Sequence, residues 1–430
     1  MVLKDKKTNL IFHNGILTIG GTIIEVSYND SHIFFDFGSE FNPSLEIQPS
    51  SLQELIDADL VPFINNIFDP SIPLANYKNS DDIYNHTGVF LSHVHLDHTK
   101  IINYLNPEIP LYALSGTKSL LETLNINNDF LFPTHNEYYD NTRNIISVND
   151  NETITVGDIK VKLLPIDHDA YGACGMIITT PDLVISYTGD LRLHGYRTKD
   201  TLNFCNESKL CDILLIEGVS VSFQEIDDVI DDDIVSENDL LDNIVNIIND
   251  NPNKQITFNY YIANIERIVN IINHVPRTVV LDAYSAFVLR HATNKDIHYY
   301  NISGNKYDLN PDYEVDFDDL LNDEDKYLWQ LDALALKYIN RLKKGGIYIH
   351  SNAVPLGDFD PSYKPFVDSF NDNDINFITL SCSGHAHPKD LIKIIDLIEP
   401  KLLIPIHSYH PERLYNNHGD VLLPTKKQKI

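Results

Sequence analysis

Apolar positions along this chain follow two rhythms. In the first 40 residues, ILTIGGTIIEVSYNDSHIFFDFG alternates β-branched and aromatic residues with polar ones. It is broken at Gly20-Gly21 and at Asn29-Asp30, which predicts strands joined by turns. The alternation returns in ETITVGDIKVKLLPIDHD, CGMIITTPDLVISYTGDLRLHG and DILLIEG. GVFLSHVHLDH reads as a strand running into a loop, whereas SLQELIDADL and KSLLETLNI carry helical spacing. The apolar runs stop on polar residues, at Asp36, His168, Asp190 and Glu217. Loops that follow strand ends are where a layered α/β scaffold places its chemistry.

From about residue 222 strands and helices alternate instead. QITFNYYI predicts a strand, ANIERIVNIINHV a helix, RTVVLDAY a strand, DKYLWQLDALALKYINRLK a helix and GGIYIHSNAV a strand. This is the pattern of a parallel α/β sheet. The tail returns to β-loop-α-β in INFITLSCSGH, PKDLIKIIDLI and KLLIPIHSYHPE. We therefore expect a first domain over 1–221, an inserted domain over 222–375 and a return to the first domain over 376–430. A chain of 430 residues has room for both.

Charge changes the picture. Asp and Glu number 62 against 32 Lys and Arg, a formal charge of −30. Such a chain is a poor candidate for non-specific attachment to phosphate backbones, so any nucleic-acid role must come from a local site. Two runs, 223–242 and 307–325, hold 18 of the acids and no base; a solvated, partly helical face accounts for both. No stretch approaches the roughly 18–20 apolar residues that cross a bilayer. The start, MVLKDKKTNLIFHNG, has no apolar core before a cleavage site. A cytoplasmic protein without a membrane partner is the expectation. Cys174, Cys205, Cys211 and Cys382 form no C-x-x-C pair and read as reduced, buried apolar residues.

The densest chemistry is Ser92-His93-Val94-His95-Leu96-Asp97-His98, with four potential metal ligands in six residues after an apolar strand. His93 and His95 differ by two, so in extended chain both face one way. Asp97 and His98 follow as the chain turns and can face a second ion. Imidazole nitrogen suits Zn2+, and a carboxylate adds the charge that holds another cation.

This H-x-H-x-D-H run resembles the signature of the metallo-β-lactamase superfamily, whose fold is a four-layer αββα sandwich. Asp36 in Phe-Asp-Phe-Gly, His168 in Pro-Ile-Asp-His and Asp190 in Tyr-Thr-Gly-Asp resemble its other motifs, in order. Glu217 in Leu-Ile-Glu-Gly, Ser383-Gly384-His385-Ala386 and Pro405-Ile406-His407 resemble motifs A, B and C of the β-CASP nucleases. In that group an inserted β-CASP α/β domain lies between the first two of these. Ile349-His350-Ser351-Asn352-Ala353-Val354-Pro355-Leu356-Gly357 is similar to the ribonuclease J stretch before motif B. The chain departs from ribonuclease J by ending near residue 430, so the usual C-terminal domain is expected to be missing.

The resemblance implies two zinc ions per chain. His93, His95 and His168 would hold one, Asp97, His98 and His407 the other, and Asp190 would bridge them. A water activated by both metals would attack a phosphodiester of RNA, in exo- or endonucleolytic mode. His385, oriented by Glu217, would be the general acid, with Asp97 counted in the catalytic group. Asp36 would orient a ligand histidine. In the family a motif C histidine such as His407 goes with RNA substrates. Ser351, Asn352 and Ser383, in short polar loops, would either bind a substrate phosphate beside backbone N–H groups or simply form turns. The resemblance leaves a homodimer open. The competing reading keeps the metal site and changes the substrate to DNA or to a small ester or thioester.

Overall fold

In the computed structural model, which describes residues 4–40, 48–77, 85–135, 139–228 and 234–430, the chain separates into two units. One comprises Met1–Leu193, Arg197–Val229 and Gly384–Ile430, the other His194–Tyr196 and Ile230–Ser383. No helix among the described residues is long and apolar enough to cross a membrane.

The first unit opens with six strands: β1 (Asn9–Asn14), β2 (Ile23–Tyr28), β3 (Ser31–Phe35), β4 (His86–Phe90), β5 (Leu111–Leu114) and β6 (Ile146–Val148). They form one sheet in sequence order. Pairing is antiparallel through β1, β2 and β3 and parallel from β3 onward. Five strands follow: β7 (Thr153–Val156), β8 (Ile159–Pro165), β9 (Cys174–Thr179), β10 (Val184–Tyr187) and β11 (Ile213–Glu217). The second unit contributes β12 (Ile256–Tyr260), β13 (Thr278–Asp282), β14 (His298–Tyr300), β15 (Tyr327–Gln330), β16 (Ile347–Ser351) and β17 (Asn376–Thr379). The chain then returns with β18 (Leu402–Ile406) and β19 (Asp420–Val421) to complete a seven-stranded sheet, ordered β19-β18-β11-β10-β9-β8-β7.

Alternation explains why the two sheets of the first unit stack. Inward residues such as Phe12, Val26, Ile33 and Phe35 of the first sheet share one buried core with Val161, Leu163, Met176, Ile185 and Leu215 of the second. The opposite face of the second sheet, with Leu164, Leu214, Ile216 and Leu403, buries the apolar stripes of helices Thr198–Glu207 and Pro388–Ile398. Helix Ser115–Leu124 packs on β5 and β6. Strand β11 is therefore buried on both faces, which is why ILLIE is an unbroken apolar run up to its terminal acid.

Strands β8, β10, β11 and β18 run in one direction, and so do β3 and β4. Asp36, Ser92, His168, Asp190, Glu217 and His407 all stand at the ends of these strands or just beyond them.

The second unit holds an all-parallel sheet ordered β14-β13-β15-β12-β16-β17, with Trp329 fully buried in its core. The helix expected over 325–343 is absent. Tyr327–Gln330 is the strand between β13 and β12, and Ala335–Arg341 is a 3-10 helix. Helical spacing in that window loses to burial of Tyr327, Leu328 and Trp329 in a central strand. RTVVLDAY ends as a strand at Asp282, whose carboxylate caps helix Ala283–Thr293. Asn376–Thr379, expected in the returning segment, is instead an edge strand of this sheet.

Of the first acidic run, Asp231, Asp232 and Asp233 lie outside the described residues. Glu237 from that run is not on a solvated face. It is fully buried and pairs with Arg267 at 2.8 Å. The four cysteines are free and buried.

Candidate metal centre

The loop after β4 explains how one short segment can serve two ligand groups. His93 leaves the strand in extended chain. His95 then opens a single helical turn, Leu96–Thr99, closed by His98 N–H donating to the His95 carbonyl at 2.9 Å. Gly38 makes room for this turn, since a Cβ there would stand 1.6 Å from the Asp97 carbonyl oxygen.

Seven side chains converge as two groups. His93, His95, His168 and Asp190 form one, and Asp97, His98, Asp190 and His407 the other. Within each group the ligand atoms lie within 4.8 Å of one another, and Asp190 belongs to both. Donor atoms around a four-coordinate zinc are about 3.3 Å apart. Here Asp190 Oδ2 is 3.3 Å from His98 Nε2 and 3.6 Å from His93 Nε2, and His407 Nε2 is 3.4 Å from Asp97 Oδ2. Nε2 of His93 and His98 and Oδ2 of Asp190 are buried and make no hydrogen bond. Buried polar atoms left unsatisfied are costly, and a shared cation resolves the cost. The donor set thus fits a pair of metal ions.

Outer contacts fix the rings. Asp36, held at φ +60°, accepts His98 Nδ1–H at 2.8 Å, the Tyr187 hydroxyl at 2.5 Å and both N–H and O–H of Ser92. Because Ser92 donates its hydroxyl to Asp36, it is free to accept from His93 Nδ1 at 2.9 Å. His168 Nδ1 donates to the Gly384 carbonyl at 2.6 Å, and His407 Nδ1 lies 3.2 Å from Thr22 Oγ1. In each case Nδ1 is engaged and Nε2 is left for the centre, the arrangement that orients metal-binding histidines. His407 also sits at φ +53°, strain of the kind that collects at functional positions.

Burial lowers the pKa of His93 and His95 and takes that of His168 down to about 3, keeping these rings neutral, the form that binds metal. Burial opposes ionisation of Asp97 and Asp190, but His98 and His407 outweigh it and hold both below the ordinary range.

Glu217 and His385 stand beside the ligands. His385 Nδ1 is 3.3 Å from Glu217 Oε1 and 3.9 Å from Asp190 Oδ2. Glu217 is fixed by accepting Val219 N–H at 2.8 Å. Burial resists charge on His385, yet Glu217, Asp190 and Asp169 overcome it and raise its pKa to about 9. Its side chain is 23% exposed, against 0–2% for His93, His98, His168 and His407, so it faces the open side of the site.

Ser351, Asn352 and Ser383 belong to the second unit. Ser351 Oγ and Asn352 Oδ1 accept from the buried Arg267 at 3.2 and 2.8 Å, and Asn352 also accepts from Cys382 N–H. The sequence assigns no role to Ser92, Tyr187, Thr22 or Asp169, all of which the structure brings to the centre. Ser92 and Tyr187 stand inside the quoted motifs without being ligand types, and only the fold brings them and Thr22 to the centre. The adjacency of Asp169 to His168 was the one available signal.

Residues 63–235 match the beta-lactamase superfamily domain model. The chain carries a beta-lactamase superfamily domain. Its mixed α/β architecture and its His/Asp cluster accord with a metal-dependent hydrolase of the metallo-β-lactamase kind. A crystal structure of a protein of unknown function from Enterococcus faecalis V583 is 48% identical, covers 99% of this chain and 100% of its own, and superimposes with a TM-score of 0.93. The chain belongs to the same family as that protein. No functionally curated protein matches it.

Proposed function

We propose that this metallo-β-lactamase superfamily hydrolase holds two zinc ions and cleaves phosphodiester bonds of RNA. The observation that carries the reading is the Glu217–His385 pair, 3.3 Å apart beside two ligand groups that share Asp190. Ions bound there would supply Lewis-acid stabilisation of a phosphoryl group and a nucleophile at neutral pH.

The chain's own part is positioning and proton supply. Glu217 keeps His385 protonated, and His385 delivers that proton to the departing oxygen. Asp190 holds the two ligand groups to a common carboxylate, while Asp36 and Ser92 keep His98 and His93 from turning. We read the second unit, a six-stranded parallel sheet entered after β11 and left before β18, as a β-CASP-like domain. Its place in the chain and the Ser383-Gly384-His385 element support a ribonuclease J-like substrate.

The formal charge of −30 favours the competing substrate, a small ester or thioester. Incubating zinc-loaded protein with 5′-phosphorylated RNA, matched DNA and a thioester panel separates the readings. RNA cleavage is expected, with mononucleotides marking an exonuclease and discrete fragments an endonuclease. Thioester turnover with intact RNA would refute the nuclease reading.

A further inference from the structure

Among the five histidines of the centre, His95 is turned the other way. Four of them engage Nδ1 outward, on Ser92, Asp36, the Gly384 carbonyl and Thr22. His95 instead brings Nδ1 to 3.2 Å from His168 Nε2, the separation expected of two donors to one ion. Its Nε2 then faces Asp169, whose Oδ1 lies 3.5 Å away. That oxygen is buried and makes no hydrogen bond. It also lies 3.4 Å from His168 Nε2, an atom left unprotonated by the Nδ1–H bond to Gly384, so His168 offers it no donor.

The position of this carboxylate is built into the fold. Asp169 follows His168 directly in the loop after β8. The bare Gly384 backbone abuts it, and a Cβ at Gly384 would stand 2.4 Å from Asp169 Oδ1. The glycine that orients His168 through its carbonyl therefore also leaves the space that Asp169 occupies.

We propose that Asp169 is a positioning residue for the first metal group: it receives Nε2–H of His95 and so commits that ring to binding through Nδ1. This rests on the metal-centre reading above. Such outer carboxylates raise ligand basicity and fix the tautomer, and their loss typically lowers metal affinity about 10- to 100-fold. Asp169 is not one of the donors grouped around either ion, so its removal weakens a site without deleting a ligand.

The test is a competition titration of apo-protein with Zn2+ against a fluorescent chelator, with Co2+ absorption spectra recorded in parallel. Wild type is expected to take up two ions. Asp169→Ala should still take up two, one of them bound about 10- to 100-fold more weakly. Asp169→Asn, close in shape and able to accept the same N–H, should recover part of that loss and serves if the alanine variant does not fold. Unchanged affinity in both variants beside a metal-binding wild type would overturn this inference alone. So would loss of one whole ion in Asp169→Ala, which would make Asp169 a direct ligand. A wild type that takes up no metal would remove the metal reading itself.

Discussion

Glu217 Oε1 lies 3.3 Å from Nδ1 of His385, a residue 168 positions later in the chain. Neither belongs to a ligand group, yet His385 comes within 3.9 Å of the shared Asp190. A protonated ring beside these two ligand groups is placed to donate a proton in the proposed reaction.

Removing that donor should separate chemistry from metal binding. His385→Ala and Glu217→Gln are each expected to lower kcat by roughly 10²- to 10⁴-fold. Both should keep the wild-type metal content. Parallel kinetics and elemental analysis check this, and a fall in metal content in His385→Ala would make that residue a ligand.

Gly38 should tolerate no side chain. A Cβ 1.6 Å from the Asp97 carbonyl must displace the turn that carries Asp97 and His98. Gly38→Ala is expected to destabilise the fold by about 3 kcal/mol or more, read from the urea midpoint.

Glu25 gives a pH signature away from the centre. It accepts His13 Nε2 at 2.8 Å and His32 Nδ1 at 2.7 Å. Burial opposes its ionisation, but the two histidines win and lower its pKa from 4.5 to about 2. A lowered carboxyl stabilises the fold above pH 4.5, and that contribution fades as pH falls toward 2. Glu25→Gln should therefore cost about 1–3 kcal/mol near pH 6, with the gap to wild type closing on acidification in thermal melts.

Asp282 has the opposite sign. Burial, and then Asp332, push its pKa from 3.8 to about 6. Ionising it costs the folded state progressively from pH 3.8 to 6 and fully above that. Asparagine can keep the cap that Asp282 makes to Tyr284 and Ser285 N–H. Asp282→Asn should thus be more stable than wild type by roughly 1–3 kcal/mol at pH 8 and no more stable below pH 3.8, again by thermal melts.

The His/Asp cluster was legible because four potential donors stand within six residues after an apolar strand, and no core-packing reason explains such a run. Asp190 and His168 stand at strand ends, and their ligand roles came from the resemblance to the superfamily motifs. Among the outer contacts Asp36 was expected from its motif, but Ser92, Tyr187 and Thr22 are ordinary polar residues until β3, β4, β10 and β18 bring their ends together. The stretch 325–343 misled for a different reason. Its apolar spacing suits a helix, but Trp329 lies in the strand between β13 and β12, where sheet pairing decides the conformation.

The most direct measurement is the metal-to-protein ratio after loading and desalting. Two ions per chain are expected in wild type, one in each of His168→Ala and His407→Ala, and fewer than one in Asp190→Ala, whose carboxylate belongs to both groups. A wild type that retains no metal, or His168→Ala and His407→Ala proteins that both keep two ions, would contradict this expectation.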